Sequence, residues 1–77
     1  KDISLSKCPV NSIVKITRFV SFDSDYLEYI SSLGLKVGCE VVLLKRFDFD
    51  DSVVLKLNFK EIALTKLSAD NIFVVKN

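Results

Sequence analysis

The sequence contains no histidine, no tryptophan and no methionine, and it has only two cysteines among its 77 residues. Without histidine the chain lacks the commonest general base, metal ligand and pH-dependent switch found near neutral pH. A nucleophilic cysteine would also lack the imidazole that usually activates it. The residues form no recognisable catalytic constellation, and we expect no enzymatic activity, no catalytic residue and no cofactor.

Cys8 and Cys39 are too few for a disulfide scaffold, because a small domain of that kind usually carries about four to eight cysteines. One disulfide between them is an alternative, but we predict that both thiols are reduced and at least partly buried in a cytoplasmic protein. A structural zinc site takes four ligands, and nothing in the chain supplies the other two. We therefore predict no metal site at the cysteines and no tight intrinsic iron site.

An excess of charge of one sign is also absent, because eleven basic and ten acidic residues leave a net charge of +1. Nucleic-acid binding requires a concentrated basic surface, so we expect no nucleic-acid partner. Four basic residues on predicted strands are the best candidates for a phosphate-binding patch: Lys15, Arg18, Lys45 and Arg46. We interpret them as a solvated sheet face.

Three acidic residues lie close together in the sequence: Asp48, Asp50 and Asp51. Carboxylates suit a hard cation, but this run has neither the full spacing nor the closing glutamate of a Ca²⁺-binding loop. We interpret the run as the charged tip of a hairpin.

Long apolar runs are missing as well. No stretch approaches the roughly 20 residues that a helix needs to cross a bilayer. The N-terminal residues also lack the apolar core of a signal peptide. We expect no direct insertion into a membrane.

Apolar residues are nevertheless abundant, at 49% of the chain. A chain this short buries only about 60% of its unfolded surface, so it needs a dense core. Short apolar segments between turn residues predict five strands: 12–20, 40–47, 52–58, 61–67 and 72–75. Because closure removes exposed sheet edges, we predict a mainly β, closed or nearly closed small barrel in one domain, residues 1–77, after an irregular lead-in.

One α-helix is predicted at about residues 23–33. Asp23 is the candidate N-cap, with Phe22 packing on Leu27 as a hydrophobic staple. A capping box that starts at Asp25 is the alternative. Either arrangement places acidic residues at the helix N-terminus, where the helix dipole favours them.

The helix is predicted to end at Leu33, before the first of the two glycines in the chain. Gly34 suits the left-handed residue of a helix stop, and Leu35 is expected to fold back onto Ile30. A second, short helical turn near residues 68–71 is predicted with Ser68 as its cap.

Most of the eight aromatic residues are expected in the core, including Phe59 on the inward face of the third strand. Phe49 is an exception because it lies between acidic residues at a hairpin tip. Tyr29 lies off the apolar face of the helix. Exposed aromatic residues are candidate protein contacts, although single exposed apolar residues are also common on ordinary surfaces.

Two runs of residues, 26–41 and 61–74, resemble the FeoA family of small accessory proteins of bacterial ferrous-iron uptake. The first run matches a helix that ends in Leu-Gly-Leu and is followed by glycine and an apolar strand. The second matches a strand, an alanine-containing turn and a final strand. The structural signature residues of this resemblance are Leu33, Gly34, Leu35, Gly38 and Ala69.

The sequence departs from the family pattern at several turns. Asn11 and Asn58 stand where the family usually has glycine, and asparagine tolerates left-handed backbone best among the other residues. Val37 stands where proline is frequent. Ser31-Ser32 stand where the family helix often has paired arginines, and Thr65-Lys66 stand where its fourth strand often has an arginine. The resemblance therefore supports no partner contact through these positions.

The resemblance implies an SH3-like barrel with a helix inserted after the first strand. It also implies a non-enzymatic, cytoplasmic protein that acts on the membrane ferrous-iron permease with its GTP-binding domain. On this hypothesis Tyr29, Phe49 and the turn at Lys36 and Val37 contact that partner.

Two other functions compete with this interpretation. The same fold occurs as the C-terminal SH3-like domain of iron- or manganese-dependent transcriptional repressors, and the full-length reading frame distinguishes that case. An RNA-binding small barrel would need a basic exposed face, which the balanced composition does not favour.

Overall fold

Six strands form one antiparallel sheet in the computed structural model, which describes residues 1–77. The strands are β1 (Ile3–Ser4), β2 (Ile13–Phe19), β3 (Glu40–Arg46), β4 (Val53–Leu57), β5 (Lys60–Leu64) and β6 (Ile72–Lys76). The helices are α1 (Ser24–Ser32), α2 (Lys66–Asp70) and a 3₁₀ helix at Leu5–Lys7. The strand order across the sheet is β1-β6-β2-β3-β4-β5.

The fold is mainly β and SH3-like as predicted, but the sheet is not closed and has six strands, not five. The additional strand, β1, lies in the segment predicted to be irregular, where Ile3 pairs with Val74 and Ser4 with Phe73. A strand of two residues cannot display an alternating pattern, so the sequence carries no periodic signal for it. The open edges are β1 and β5.

Alternating side chains of the sheet build the core. Val14 and Ile16 of β2 are buried, whereas Ile13 is 49% exposed. The other strands bury the same alternate positions: Val41, Leu43, Val53, Leu55, Ile62, Leu64, Ile72 and Val74. Register shifts in β2 and β3 bend the sheet around this core, as β-bulges generally do.

The prediction that Phe59 faces the core is wrong, because its side chain is fully exposed. The alternation of β4 ends at Leu57, and Asn58 adopts a left-handed conformation with φ of 57°. The chain therefore turns at Asn58 and Phe59, and the aromatic ring leaves the inward face. Asn11 also has a positive φ, of 73°, in agreement with the prediction for both asparagines.

Helix α1 begins as predicted at the Asp23 cap. The Asp23 carboxylate accepts hydrogen bonds from the backbone N–H groups of Asp25 at 2.9 Å and Tyr26 at 3.3 Å. The predicted staple is wrong, because Phe22 is fully exposed and covers no surface of Leu27. The cap alone therefore determines where the helix begins.

The second helix begins earlier than predicted. The fourth predicted strand, residues 61–67, ends at Leu64, and α2 follows from Lys66. Thr65 is the cap, since its hydroxyl accepts the Ser68 N–H at 3.1 Å. The sequence predicted Ser68 as the cap, because Thr65 and Ser68 both carry a hydroxyl group that suits an N-cap.

Candidate protein-contact surface

Residues 33–39 join α1 to β3, and backbone hydrogen bonds fix this segment, which we call the corner. The N–H of Gly34 donates to the carbonyl of Ser31 at 2.9 Å, and the N–H of Leu35 donates to that of Ile30 at 3.3 Å. This pair of bonds is a Schellman motif, and Gly34 supplies the positive φ of 86° that the motif needs. Leu35 then enters the core with 1% exposure, so the predicted helix stop is confirmed.

Gly38 attaches the rest of the corner to β2. Its N–H donates to the carbonyl of Ile16 at 2.8 Å, and the carbonyl of Cys39 accepts the Ile16 N–H at 2.9 Å. Lys36 and Val37 lie between these anchors with exposed side chains, and Val37 keeps 62% of its surface accessible. The corner therefore presents two candidate contact residues on a backbone fixed from both sides.

Tyr29 lies on the exposed face of α1, eight positions before Val37, with 45% of its surface accessible. Its neighbour Tyr26 points inward, and its hydroxyl donates to the Ser68 carbonyl at 2.8 Å. Burial and the nearby Tyr29 raise the pKa of Tyr26 to about 12. Tyr26 therefore attaches α1 to α2, whereas the side chain of Tyr29 remains accessible to a partner.

Phe49 lies at the tip between β3 and β4 and is 95% exposed. The Phe47 N–H donates to the Ser52 carbonyl at 2.9 Å, and the Asp51 N–H donates to the Phe47 carbonyl at 2.8 Å. Asp50 accepts the Ser52 N–H at 3.0 Å, and hydrogen bonding to Ser52 holds the pKa of Asp50 below its usual range. The tip is an ordered loop that displays an aromatic ring among carboxylates.

These candidates do not form one patch. The corner with Lys36 and Val37 precedes β3, whereas Phe49 follows the last residue of that strand. A strand of seven residues spans roughly 20 Å at about 3.3 Å per residue. The structure thus groups Tyr29 with the corner along the chain and places Phe49 at the other end of β3, so a partner that contacts both must reach across the domain.

The remaining signature residues have structural positions. Leu33 is half-buried against the core, and Ala69 is completely buried on α2. Next to Ala69, the Ser4 hydroxyl donates to the Ala69 carbonyl at 3.3 Å and the Ser6 hydroxyl donates to Asp70 at 2.5 Å. The Ser6 bond and then Lys66 lower the pKa of Asp70. Helix α2 is thereby attached to the N-terminal segment.

The cysteines do not form a reactive or ligating pair. Both are free thiols, with Cys8 buried and Cys39 half-buried, as predicted. Burial raises the pKa of Cys8, although Arg46 opposes the shift, so the thiolate is disfavoured. Nowhere in the chain do three histidine, cysteine, aspartate or glutamate side chains come together as a metal site would require.

The basic strand residues have other partners. Arg18 pairs with Asp2 at 2.8 Å and stacks over Phe73. Arg46 donates to the carbonyl of Ser6 at 2.8 Å, which fixes the N-terminal segment to the end of β3. Lys45 lies over the ring of Phe47, with its Nζ 4.8 Å from the centroid. Both guanidinium groups are therefore engaged within the molecule, whereas Lys15 is exposed, in keeping with a solvated sheet face.

The prediction that most aromatic residues lie in the core is wrong, because five of the eight are exposed: Phe22, Tyr29, Phe47, Phe49 and Phe59. Among the exposed apolar side chains that the sequence did not identify, three are the most accessible. Phe22 and Phe59 are fully exposed, and Leu67 on α2 is 73% exposed. Asparagine before Phe59 was the available signal for a turn at that point. Phe22 and Leu67 give no comparable signal, because their apolar character matched the elements predicted around them.

The fold and surface define a class of protein: a small SH3-like domain whose exposed features suit protein contacts. Solved structures share this fold. A FeoA-like protein from Clostridium acetobutylicum is 26% identical, with a TM-score of 0.86 over 99% of this chain and 87% of that one. An iron uptake regulatory protein (FeoA) superposes with a TM-score of 0.86 at 16% identity, covering 100% and 99% of the two chains.

A model of the FeoA domain matches residues 3–76, and the chain belongs to the FeoA family. FeoA domains are accessory and non-catalytic, and their family is that of iron transport. No curated protein matches the sequence. No helix of the chain is long and apolar enough to cross a membrane.

A manganese-dependent transcriptional repressor also shares the fold. It superposes with a TM-score of 0.92 at 21% identity over 99% of this chain. The chain spans only 42% of the length of that repressor. The similarity is therefore one of fold, confined to one part of a longer protein.

Proposed function

We propose that this chain is a non-enzymatic accessory protein of ferrous-iron uptake that binds the cytoplasmic GTP-binding part of the membrane ferrous-iron permease. The observation that carries the proposal is the match of the FeoA domain model to residues 3–76. The exposed apolar residues add physical support, because aromatic anchors dominate many protein interfaces. On this proposal residues 1–77 act as one domain in the cytoplasm.

Binding would act on the permease by conformational selection. A ligand shifts a two-state partner only by the difference between its affinities for the two states. The corner residues Lys36 and Val37, Tyr29 on α1, and Phe49 at the tip are the proposed contacts. Because the corner backbone is fixed from both sides, binding through Lys36 and Val37 would need little ordering of the backbone.

Titration of the chain into the purified GTP-binding part of a ferrous-iron permease, with GDP and with a non-hydrolysable GTP analogue, tests the proposal by calorimetry. We expect saturable binding with different affinities for the two nucleotide states. Phe49→Ala or Tyr29→Ala should weaken it about tenfold or more if either residue is an anchor. Phe22→Ala is the matched control, because that phenylalanine is equally exposed outside the proposed contacts.

Absence of binding in both nucleotide states would contradict the permease proposal. Binding that survives both alanine substitutions would retain the partner but overturn these contacts. An affinity that is equal in the two nucleotide states would overturn conformational selection.

The alternative is the C-terminal SH3-like domain of a metal-dependent repressor. It rests on the superposition of 99% of this chain onto a part of the manganese-dependent repressor. The full-length reading frame tests it, because the alternative requires a preceding helix-turn-helix region in the same frame.

A further inference from the structure

A groove of about 530 Å³ lies between β1, the turn at residues 9–12 and the adjoining ends of β2 and β6. Three aliphatic side chains in it remain partly exposed: Ile3 at 44%, Val10 at 41% and Ile13 at 49%. A concave apolar surface of this size is typical of a site that accepts a side chain or a small ligand.

The charged side chains that line this groove have one sign. Lys1 and Lys76 line it, and no aspartate or glutamate side chain does. Two acids lie beside it and have partners. The Asp2 carboxylate pairs with Arg18 at 2.8 Å and accepts the Thr17 hydroxyl at 2.8 Å. The Glu40 carboxylate accepts a hydrogen bond from the side-chain amide of Asn77. We call this site the basic groove, and its chemistry suits an apolar group that carries negative charge.

The same chain displays such a group at residues 47–51, which we call the acidic tip. Phe49 projects there with 95% of its surface exposed. Asp48, Asp50 and Asp51 surround it and are exposed too. A lysine ammonium attracts both a carboxylate and the face of an aromatic ring, so the tip complements the basic groove in charge and in polarity.

Tip and groove lie at the same end of the sheet. The Asn11 N–H in the turn beside the groove donates to the Leu43 carbonyl of β3 at 2.6 Å. Arg46 donates to the Ser6 carbonyl, and the acidic tip begins at the next residue. No residue of the tip lines the groove of its own chain, so the complementary surfaces do not satisfy each other within one molecule.

We propose that two copies of this chain form a reciprocal dimer in which the acidic tip of each copy occupies the basic groove of the other. A two-fold axis makes the two contacts identical and closes the assembly. Phe49 is the anchor of each contact, and Lys76 with Lys1 receives the carboxylates. The inference does not depend on the permease proposal.

One consequence does rest on the proposed function. Dimer formation covers Phe49, so a dimer would withhold the tip from the permease while leaving the corner at Lys36 and Val37 accessible. Monomers at low concentration would bind through both surfaces. Titration of the permease domain at low micromolar concentration therefore tests the proposed function separately from the dimer.

Sedimentation velocity from about 10 μM to about 1 mM in low salt tests the dimer, because weak contacts dissociate in this range. We expect a concentration-dependent dimer that weakens at about 1 M salt, where the Debye length falls to about 3 Å. Phe49→Ala and Lys76→Glu should each raise the dissociation constant about tenfold or more. Phe22→Ala should leave it unchanged.

Mixing two charge-reversed variants gives the sharper test. Lys76→Glu and Asp48→Lys each place like charges in both contacts of their own dimer, whereas their mixture has one unchanged contact and one in which the two charges are exchanged. We expect heterodimers at concentrations where neither variant self-associates. A monomer throughout the range, a dimer insensitive to both substitutions, or a mixture no stronger than the variants alone would each overturn the proposal.

Discussion

The corner at residues 33–39 and the acidic tip at residues 47–51 both turn the chain at an end of β3, but they use their residues in opposite ways. The corner buries Leu35 almost completely and hydrogen-bonds to β2 through Gly38. The tip closes on itself and leaves Phe49 95% exposed. The difference indicates that the corner residues stabilise the fold, whereas Phe49 contributes little stability and is accessible for contact.

Replacing the apolar side chain of each region by alanine should show the largest difference in stability between them. Leu35→Ala should lower the free energy of unfolding by about 2–5 kcal/mol, because it leaves a cavity in the core. Phe49→Ala should change it by no more than about 0.5 kcal/mol. Urea unfolding followed by circular dichroism measures both. Comparable losses in the two variants would show that the tip is structural.

Backbone conformation offers a second, smaller contrast. Gly34→Ala should lower the free energy of unfolding by about 1–2 kcal/mol. Gly34 has φ of 86°, and an alanine there would have to adopt the same left-handed conformation. The added Cβ would meet Leu57 at 3.5 Å, an ordinary contact, so the cost should come from the backbone. Asp51 at the tip has φ of 58°, and Asp51→Gly should change stability by less than about 1 kcal/mol. Equal stability of Gly34→Ala and the unchanged chain in thermal unfolding would contradict the assigned role of Gly34.

Loss of the N-cap of α1 should lower the free energy of unfolding by about 1 kcal/mol. Asp23→Ala removes the carboxylate that accepts two N–H groups of the first helical turn. Phe22→Ala should be nearly neutral, because the staple is absent. Hydrogen exchange of the amides of Asp25 and Tyr26 would locate the loss, and equal exchange in both variants would argue against the cap.

The smallest expected effect is a pH-dependent one at the edge of the sheet. Hydrogen bonds from Arg18 and then Thr17 lower the pKa of Asp2 to about 2. An aspartate in the unfolded chain has a pKa of about 3.9. The stability that ionised Asp2 adds to the folded state is therefore present above about pH 4 and is lost as the pH falls towards 2. Asp2→Asn should therefore be less stable than the unchanged chain at pH 7 and nearly equal to it at pH 2.

Unfolding of both proteins in urea across this pH range measures the difference. Arg18→Gln should remove most of the same pH dependence, since it removes the first of the two donors. A stability gap between Asp2→Asn and the unchanged chain that stays constant down to pH 2 would contradict the assigned cause.

The parts of the fold that sequence predicted well are local. Asp23 caps α1 and Gly34 stops it because each acts through backbone groups within a few residues. The alternation in β4 likewise appears in consecutive residues. The β1 strand was missed because its pairing depends on β6, which lies far along the chain. Phe59 was misplaced for a local reason, because the alternation of β4 was extended past the turn at Asn58.

The candidate site shows the same limit. Exposure of Phe49 follows from its acidic neighbours, and that of Tyr29 from its position on the helix. Their separation across the length of β3 does not follow from the sequence. The basic groove was missed altogether, because Ile3, Ile13 and Lys76 come from three strands that only the sheet brings together.

By itself the sequence determined a small, mainly β domain with one capped helix, and its signature residues indicated the FeoA family, because propensity, capping and turn chemistry act over short distances. Only the tertiary structure decided that the sheet stays open and that β1 pairs with β6. It also decided that the acidic tip and the basic groove share one end of the molecule. Those features depend on pairing between residues far apart in the chain, and no local pattern encodes such pairing.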